Sequence, residues 1–144
     1  MTAELIQADW KKIGVDAKIV SYEWAEFLRR VSHGEHDTVL IGGSGINDPD
    51  YWLSGFLGCR LMRGGNFSQW CYKPFDDLLE QAVRTLAQEK RTAFYLKAQK
   101  IFKDQQPYTA IAYPTNYYVL NKNVTGFKTY MFGTTVFYGV GLKN

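Results

Sequence analysis

Cys59 and Cys71 are the chain's two cysteines, and the short loop between them carries Gly64-Gly65. Two thiols closing a loop of that kind suit a disulfide, which would remove about 3 kcal/mol of chain entropy from the unfolded state. A pair of buried thiols is the alternative that spacing alone leaves open. His33 and His36 lie three apart, at a metal-ligand spacing, but beside Gly34 and without a third ligand, so they read as surface or capping histidines. Ser44 stands among glycines, yet Gly42-Gly43-Ser44-Gly45-Ile46 lacks the last glycine of a nucleophile elbow. The same run fails as a dinucleotide fingerprint, because Asp48 stands where the third glycine belongs and no Lys-Ser or Lys-Thr pair follows. No catalytic triad can be assembled, and no enzyme is expected. Asn66-Phe-Ser and Asn123-Val-Thr match the glycosylation pattern, a three-residue match that arises often by chance.

The stretch "HDTVLIGGSGINDPDYW" is the most informative. An apolar run, Val39-Leu40-Ile41, enters a segment almost without side chains and then a turn, Asn47-Asp48-Pro49-Asp50. Glycines there permit unusual backbone angles and let a ligand lie against N–H and C=O groups. In open parallel sheets ligands bind beyond the carboxyl ends of strands. The residues support two readings equally: a wall of a ligand cleft, or a tight connection with no ligand.

The surrounding elements read as αβαβ. Thr2 caps a helix with Leu5, Ile6, Trp10 and Ile13 on one face, stopped at Gly14. Residues 15 to 22 suit a strand. Trp24, Phe27, Leu28 and Val31 recur at helical spacing, and residues 38 to 41 form a second strand, apolar on both faces as a covered parallel sheet requires. Right-handed crossover would make the two strands parallel. A short helix is expected over 50 to 57, an irregular stretch over 59 to 73, and Pro74 in a first helical turn. Phe75, Leu78, Leu79, Ala82, Val83 and Leu86 give the cleanest apolar stripe; a helix from 89 to 105 turns Phe94, Ala98, Ile101 and Phe102 inward and ends before Pro107. From 108 onward Tyr, Phe, Thr, Val and Gly dominate, so short strands are expected.

Bulk properties narrow the classes. The chain has 144 residues, 46% hydrophobic and 22% charged, as globular domains do, with a high aromatic share of 16%. A net charge of +3 is scattered, and Arg60 to Arg63 is too thin a cluster for a nucleic-acid stripe. No run approaches the roughly 18 apolar residues of a membrane span.

Four blocks, "ELIQADWKKIGVDAKIV", "EHDTVLIGGSGINDPDYW", "GNFSQWCYKPFDDLL" and "AQKIFKDQQPYTAIAY", together resemble the carboxy-terminal part of periplasmic dipeptide- and oligopeptide-binding proteins, the solute receptors of bacterial ABC importers. The resemblance runs through nearly the whole chain and looks closest to the branch linked to antimicrobial-peptide resistance. It implies an α/β chain forming part of the second lobe of a two-lobed receptor, with helices on a mostly parallel sheet over 1 to 111 and a β-rich tail, 112 to 144, returning to the first lobe. It implies a periplasmic location, a Cys59–Cys71 disulfide, an inner-membrane permease and the missing lobe as partners, and no cofactor or metal. A chain that starts at Met1-Thr2 without a leader is then expected to be a piece of a longer receptor. Half a clamp can also self-associate through aromatics such as Tyr117, Tyr118 and Phe137.

On this resemblance Gly43, Ser44, Gly45, Ile46 and Asn47 become cleft wall, where an extended peptide pairs with main-chain groups. Trp70 is a pocket residue or packs beneath the disulfide. Family members that grip a peptide's amino terminus place an aspartate four residues before the turn proline; counting back from Pro49, that position is Gly45. Without the carboxylate a buried ammonium lacks a counter-charge, at a cost of several kcal/mol. The expectation is a ligand other than an amine-anchored dipeptide, such as a longer cationic peptide or haem. The contrasting reading is a cytosolic α/β nucleotide-binding or hydrolase domain, which free thiols would favour.

Overall fold

A computed structural model describes residues 2–43, 47–130 and 135–143. Five α-helices carry the architecture: α1 (Thr2–Lys12), α2 (Trp24–Ser32), α3 (Pro49–Leu57), α4 (Lys73–Val83) and α5 (Gln88–Gln105).

Each helix has a local cause. At the start of α2 the Glu23 carboxylate accepts from the backbone N–H groups of Ala25 and Glu26, satisfying two donors that have no partner within the helix. Asp48 does the same for α3 by accepting from Asp50 N, with Pro49 in the first turn. Pro74 occupies the first turn of α4. Gln106 closes α5 in a left-handed conformation, φ 51°, just ahead of Pro107.

The core is a helical hairpin. α4 and α5 pack on each other, and α3 joins them, burying Leu57, Phe75, Leu79, Ala82, Tyr95 and Ala98. The α4 stripe is only partly as expected. The helix stops at Val83, so Val83 and Leu86 stay exposed. On α5, Phe94, Ile101 and Phe102 pack against the cluster, and Tyr95, outside the expected set but three residues before Ala98 on the same face, is buried in it. α1 lies outside this core: Leu5 and Ile13 are exposed, and none of its residues is buried.

The expected parallel sheet is not formed within the described residues. Residues 15 to 23 and 37 to 43 carry neither helix nor ladder, and the one sheet is a two-stranded antiparallel pair, β1 (Val124–Thr125) with β2 (Gly141–Leu142). A strand is defined by pairing with a second backbone, and neither stretch forms a ladder with a described segment. Val15, Ile19, Val20 and Leu40 accordingly remain exposed. Residues 15 to 23 are tethered through α1, where the Gln7 amide donates to the Ala17 carbonyl at 2.6 Å. The tail is less β-rich than expected: beyond β1 and β2 its described residues hold one bridge, Thr129 with Thr135, and residues 109 to 123 are exposed throughout.

Candidate functional site

The glycine-rich segment enters the described structure at its two ends. Gly42 and Gly43 are exposed, and so is Asn47; Ser44, Gly45 and Ile46 lie outside the described residues. Gly43 lies close to Trp52: a Cβ there would come within 3.3 Å of Cζ3 and 3.4 Å of Cη2, so an added methyl needs the indole to give by a few tenths of an ångström. α3, starting from the turn, thus delivers an indole directly onto the backbone of the segment.

Both turn carboxylates are engaged locally. Asp48 Oδ1 accepts from Asp50 N at 2.8 Å, and Asp50 Oδ1 accepts from Ser54 Oγ at 2.5 Å. Their charge still reaches the core. Burial pushes the Tyr95 phenol up, and the Asp50 and Asp48 carboxylates push it further in the same direction.

Cys59 and Cys71 are joined as a disulfide, with Cα atoms 4.6 Å apart. The loop they close is organised by Asn66, which is 0% exposed. Its Nδ2 donates to Trp70 O at 2.7 Å and to Gly58 O at 3.2 Å, while its Oδ1 accepts from Ser68 Oγ at 2.8 Å. Gly65 allows the loop to touch α3, since a Cβ there would stand 2.6 Å from the Gly55 carbonyl oxygen. The Cys59 N–H donates to the Asp76 carboxylate, at 3.1 and 3.3 Å, tying the disulfide to α4. Asn66 is the residue sequence reasoning missed, since the glycosylation pattern drew attention outward. A polar amide inside a loop too short for ladders was the available signal, because backbone groups there need side-chain partners.

Trp70 is half-buried in this same loop. Its ring meets Phe75 edge-on at 5.1 Å and Tyr72 at 6.0 Å, and it packs on the α3–α4–α5 core. Its hydrogen-bond and ring partners are Asn66 and Ser68 of the disulfide loop, Tyr72 at the start of α4 and Phe75 within it. The two histidines diverge. His33 Nδ1 lies 2.7 Å from the Arg29 carbonyl, and His36 Nε2 lies 3.0 Å from the Phe67 carbonyl, linking the end of α2 to the disulfide loop.

α2 presents an ion-pair network. Glu26 accepts from Arg29 at 2.8 Å and Arg30 at 2.6 Å, and Glu35 meets both arginines at 3.2 Å. Hydrogen bonds from Arg29 and Arg30 lower the Glu26 carboxyl to about 2.

Residues 1–63 match the family model described as "Bacterial extracellular solute-binding proteins, family 5 Middle". By this match the chain is similar to family 5 solute-binding proteins, and its relatives place it close to dipeptide-binding proteins. It is 48% identical over 141 residues to the dipeptide-binding protein of Pseudomonas aeruginosa, covering 97% of this chain and 26% of that protein. It is 38% identical over 141 residues to heme-binding protein A of Haemophilus influenzae, with 97% and 26% covered. Among solved structures, a dipeptide-binding protein from Pseudoalteromonas sp. SM9913 in complex with Met-Leu superposes with a TM-score of 0.87 at 34% identity, covering 99% of this chain and 28% of that one. The segment therefore spans about a quarter of the length of these relatives. No described helix is long and apolar enough to cross a membrane.

Proposed function

We propose that this segment belongs to the peptide-binding component of a bacterial ABC import system, a periplasmic receptor that captures its solute between two lobes and hands it to a membrane permease. The observation that carries this reading is the superposition along 99% of the segment on a receptor holding Met-Leu. Residues 1 to 111 then belong to the second lobe, and 112 to 144 are the tail that returns to the first. Two features support this placement: residues 109 to 123 are exposed throughout, and residues 15 to 23 and 37 to 43 have no ladder partner, as strands awaiting the rest of a sheet would. Closure follows from contacts made only when both lobes reach the solute. The disulfide suits an oxidising compartment and leaves the cytosolic nucleotide-binding or hydrolase reading without its free thiols. The receptor's work is binding and delivery, with no chemical step.

Gly43, Ser44, Gly45, Ile46 and Asn47 serve as the cleft wall, pairing with the ligand's main chain. Trp70 serves apart from that wall, as a packing element between the disulfide loop and the helical core. With Gly45 in the position of the amine-gripping aspartate, and with Asp48 and Asp50 holding α3 and Ser54, a peptide's ammonium has no dedicated counter-charge here. A second reading, favoured by the similarity to heme-binding protein A, is a non-dipeptide solute such as haem; a cationic antimicrobial peptide is the other candidate.

Calorimetry on the receptor containing this segment separates these readings. Dipeptides bind weakly to the wild type, and Gly45→Asp strengthens them roughly tenfold or more, as a restored charge pair would. Tight wild-type dipeptide binding that Gly45→Asp does not change refutes the amine argument. Binding of neither peptides nor haem refutes the receptor reading itself.

A further inference from the structure

The end of α2 is fastened to the disulfide loop by a few specific contacts. Among the described residues α2 makes no extensive contact with another helix. His36, just beyond it, places Nε2 3.0 Å from the Phe67 carbonyl oxygen. Gln69 Nε2 donates to the Ser32 carbonyl at 3.3 Å, and Gly34 lies against the Gln69 side chain. A carbonyl oxygen only accepts, so Nε2 carries the proton in the His36 contact. Nδ1 of the same ring is then a bare lone pair, buried and with no hydrogen-bond partner among the described residues. An atom sealed within this segment stays sealed in a longer chain, because added residues cannot reach it.

We propose that His36 is a pH-sensitive clasp, which holds the end of α2 to the disulfide loop as a neutral imidazole and releases it when Nδ1 takes up a proton. Protonation strengthens the Nε2 bond but creates a second N–H with nothing to accept it. The ring is half-buried, so solvent screens part of its charge. The unpaired N–H therefore decides the balance, since it finds a partner only when the ring swings out of its seat. None of the neighbouring charges supplies an acceptor for Nδ1. On the α2 side, Glu35 pairs with Arg29 and Arg30, His33 Nδ1 lies 2.7 Å from the Arg29 carbonyl, and Asp37 is exposed. On the loop side, Phe67, Ser68 and Gln69 are neutral, and Arg60 and Arg63 are exposed. Gln69 is the second tie and does not titrate, so the opened end stays near its seat and recloses on neutralisation. The clasp does not depend on which solute the receptor binds.

The test is amide exchange on the receptor containing this segment, at about pH 8 and about pH 5.5, either side of the ordinary histidine range. Glu26, lowered to about 2, stays ionised at both. Protection factors are compared, which removes the intrinsic pH dependence of exchange. The amides of Gly34 and Glu35, bonded to the Val31 and Arg30 carbonyls, report the clasp. Their protection should fall about tenfold at the lower pH while that of α5 is unchanged. His36→Gln, whose amide can donate to the Phe67 carbonyl but does not titrate, should keep full protection at both. His36→Ala should lack it at both, and His33→Gln should behave as wild type. Equal wild-type protection at the two pH values overturns the clasp. So does an acid loss that persists in His36→Gln or vanishes in His33→Gln. Should the His36 variants fail to fold, the imidazole nitrogen shifts of the wild type decide. A His36 proton on Nε2 alone at about pH 8, joined by one on Nδ1 as protection is lost, supports the clasp. A proton on Nδ1 at about pH 8, or a ring still neutral where protection is lost, overturns it.

Discussion

Replacing Asn66 by alanine removes three hydrogen bonds from the interior of the disulfide loop. The two carbonyls it serves, Gly58 and Trp70, lose their side-chain donor, and Ser68 Oγ loses its acceptor. A buried polar group left without a partner costs about 1–3 kcal/mol. Ser68 is half-buried and can turn to water, so two groups carry most of the loss. The expected destabilisation is about 2–6 kcal/mol, a large share of a typical domain's 5–15 kcal/mol. Asn66→Asp should be at least as damaging, because it points a carboxylate at two carbonyl oxygens. Urea unfolding with the disulfide intact measures both, and unfolding free energies within about 0.5 kcal/mol of wild type would refute the claim that this amide organises the loop. Amide exchange in residues 58 to 71 gives an independent reading, since local opening should become faster there than in α5.

Other outcomes follow from the same geometry. The double variant Cys59→Ser with Cys71→Ser should lose about 3 kcal/mol by the loop-closure relation, and combining it with Asn66→Ala should cost less than the sum, because both act on one loop; strict additivity by urea titration would argue against their coupling. The Glu26 carboxyl is lowered in the folded state, so its contribution is intact above the ordinary carboxylate value and is lost as pH falls from about 4.5 through about 2. The pair is surface-exposed, so the expected effect is a small fraying of α2 across that window, seen by circular dichroism and abolished in Glu26→Gln.

The helices were legible in the sequence because each is written locally. The Phe75–Leu79–Ala82 stripe, the prolines at 49 and 74, and the stop at Pro107 all act within a few residues of themselves. The stripe overran at Val83 and Leu86 because periodicity registers apolar character and not what faces it; α4 ends and nothing covers those positions. Tyr95 lies on the same face, three residues before Ala98 and seven before Phe102, and was passed over because its ring carries a hydroxyl. The parallel sheet failed for the opposite reason. Val39-Leu40-Ile41 declares an extended preference, but a ladder is a property of two segments, and its partner is absent from the described chain. Of the candidate site, the glycine segment and the turn were legible as chemistry, since little side chain means accessible backbone. The indole resting on Gly43 was not, because contact across nine residues depends on how α3 leaves its cap.

The Asn66 amide and the Cys59–Cys71 bond close the same loop by different means, and only one of them needs an oxidant. The amide can gather Gly58 and Trp70, the neighbours of the two cysteines, while both sulfurs are still thiols. Oxidation then finds its partners already side by side, and an enzyme that shuffles mispaired sulfurs has little to correct.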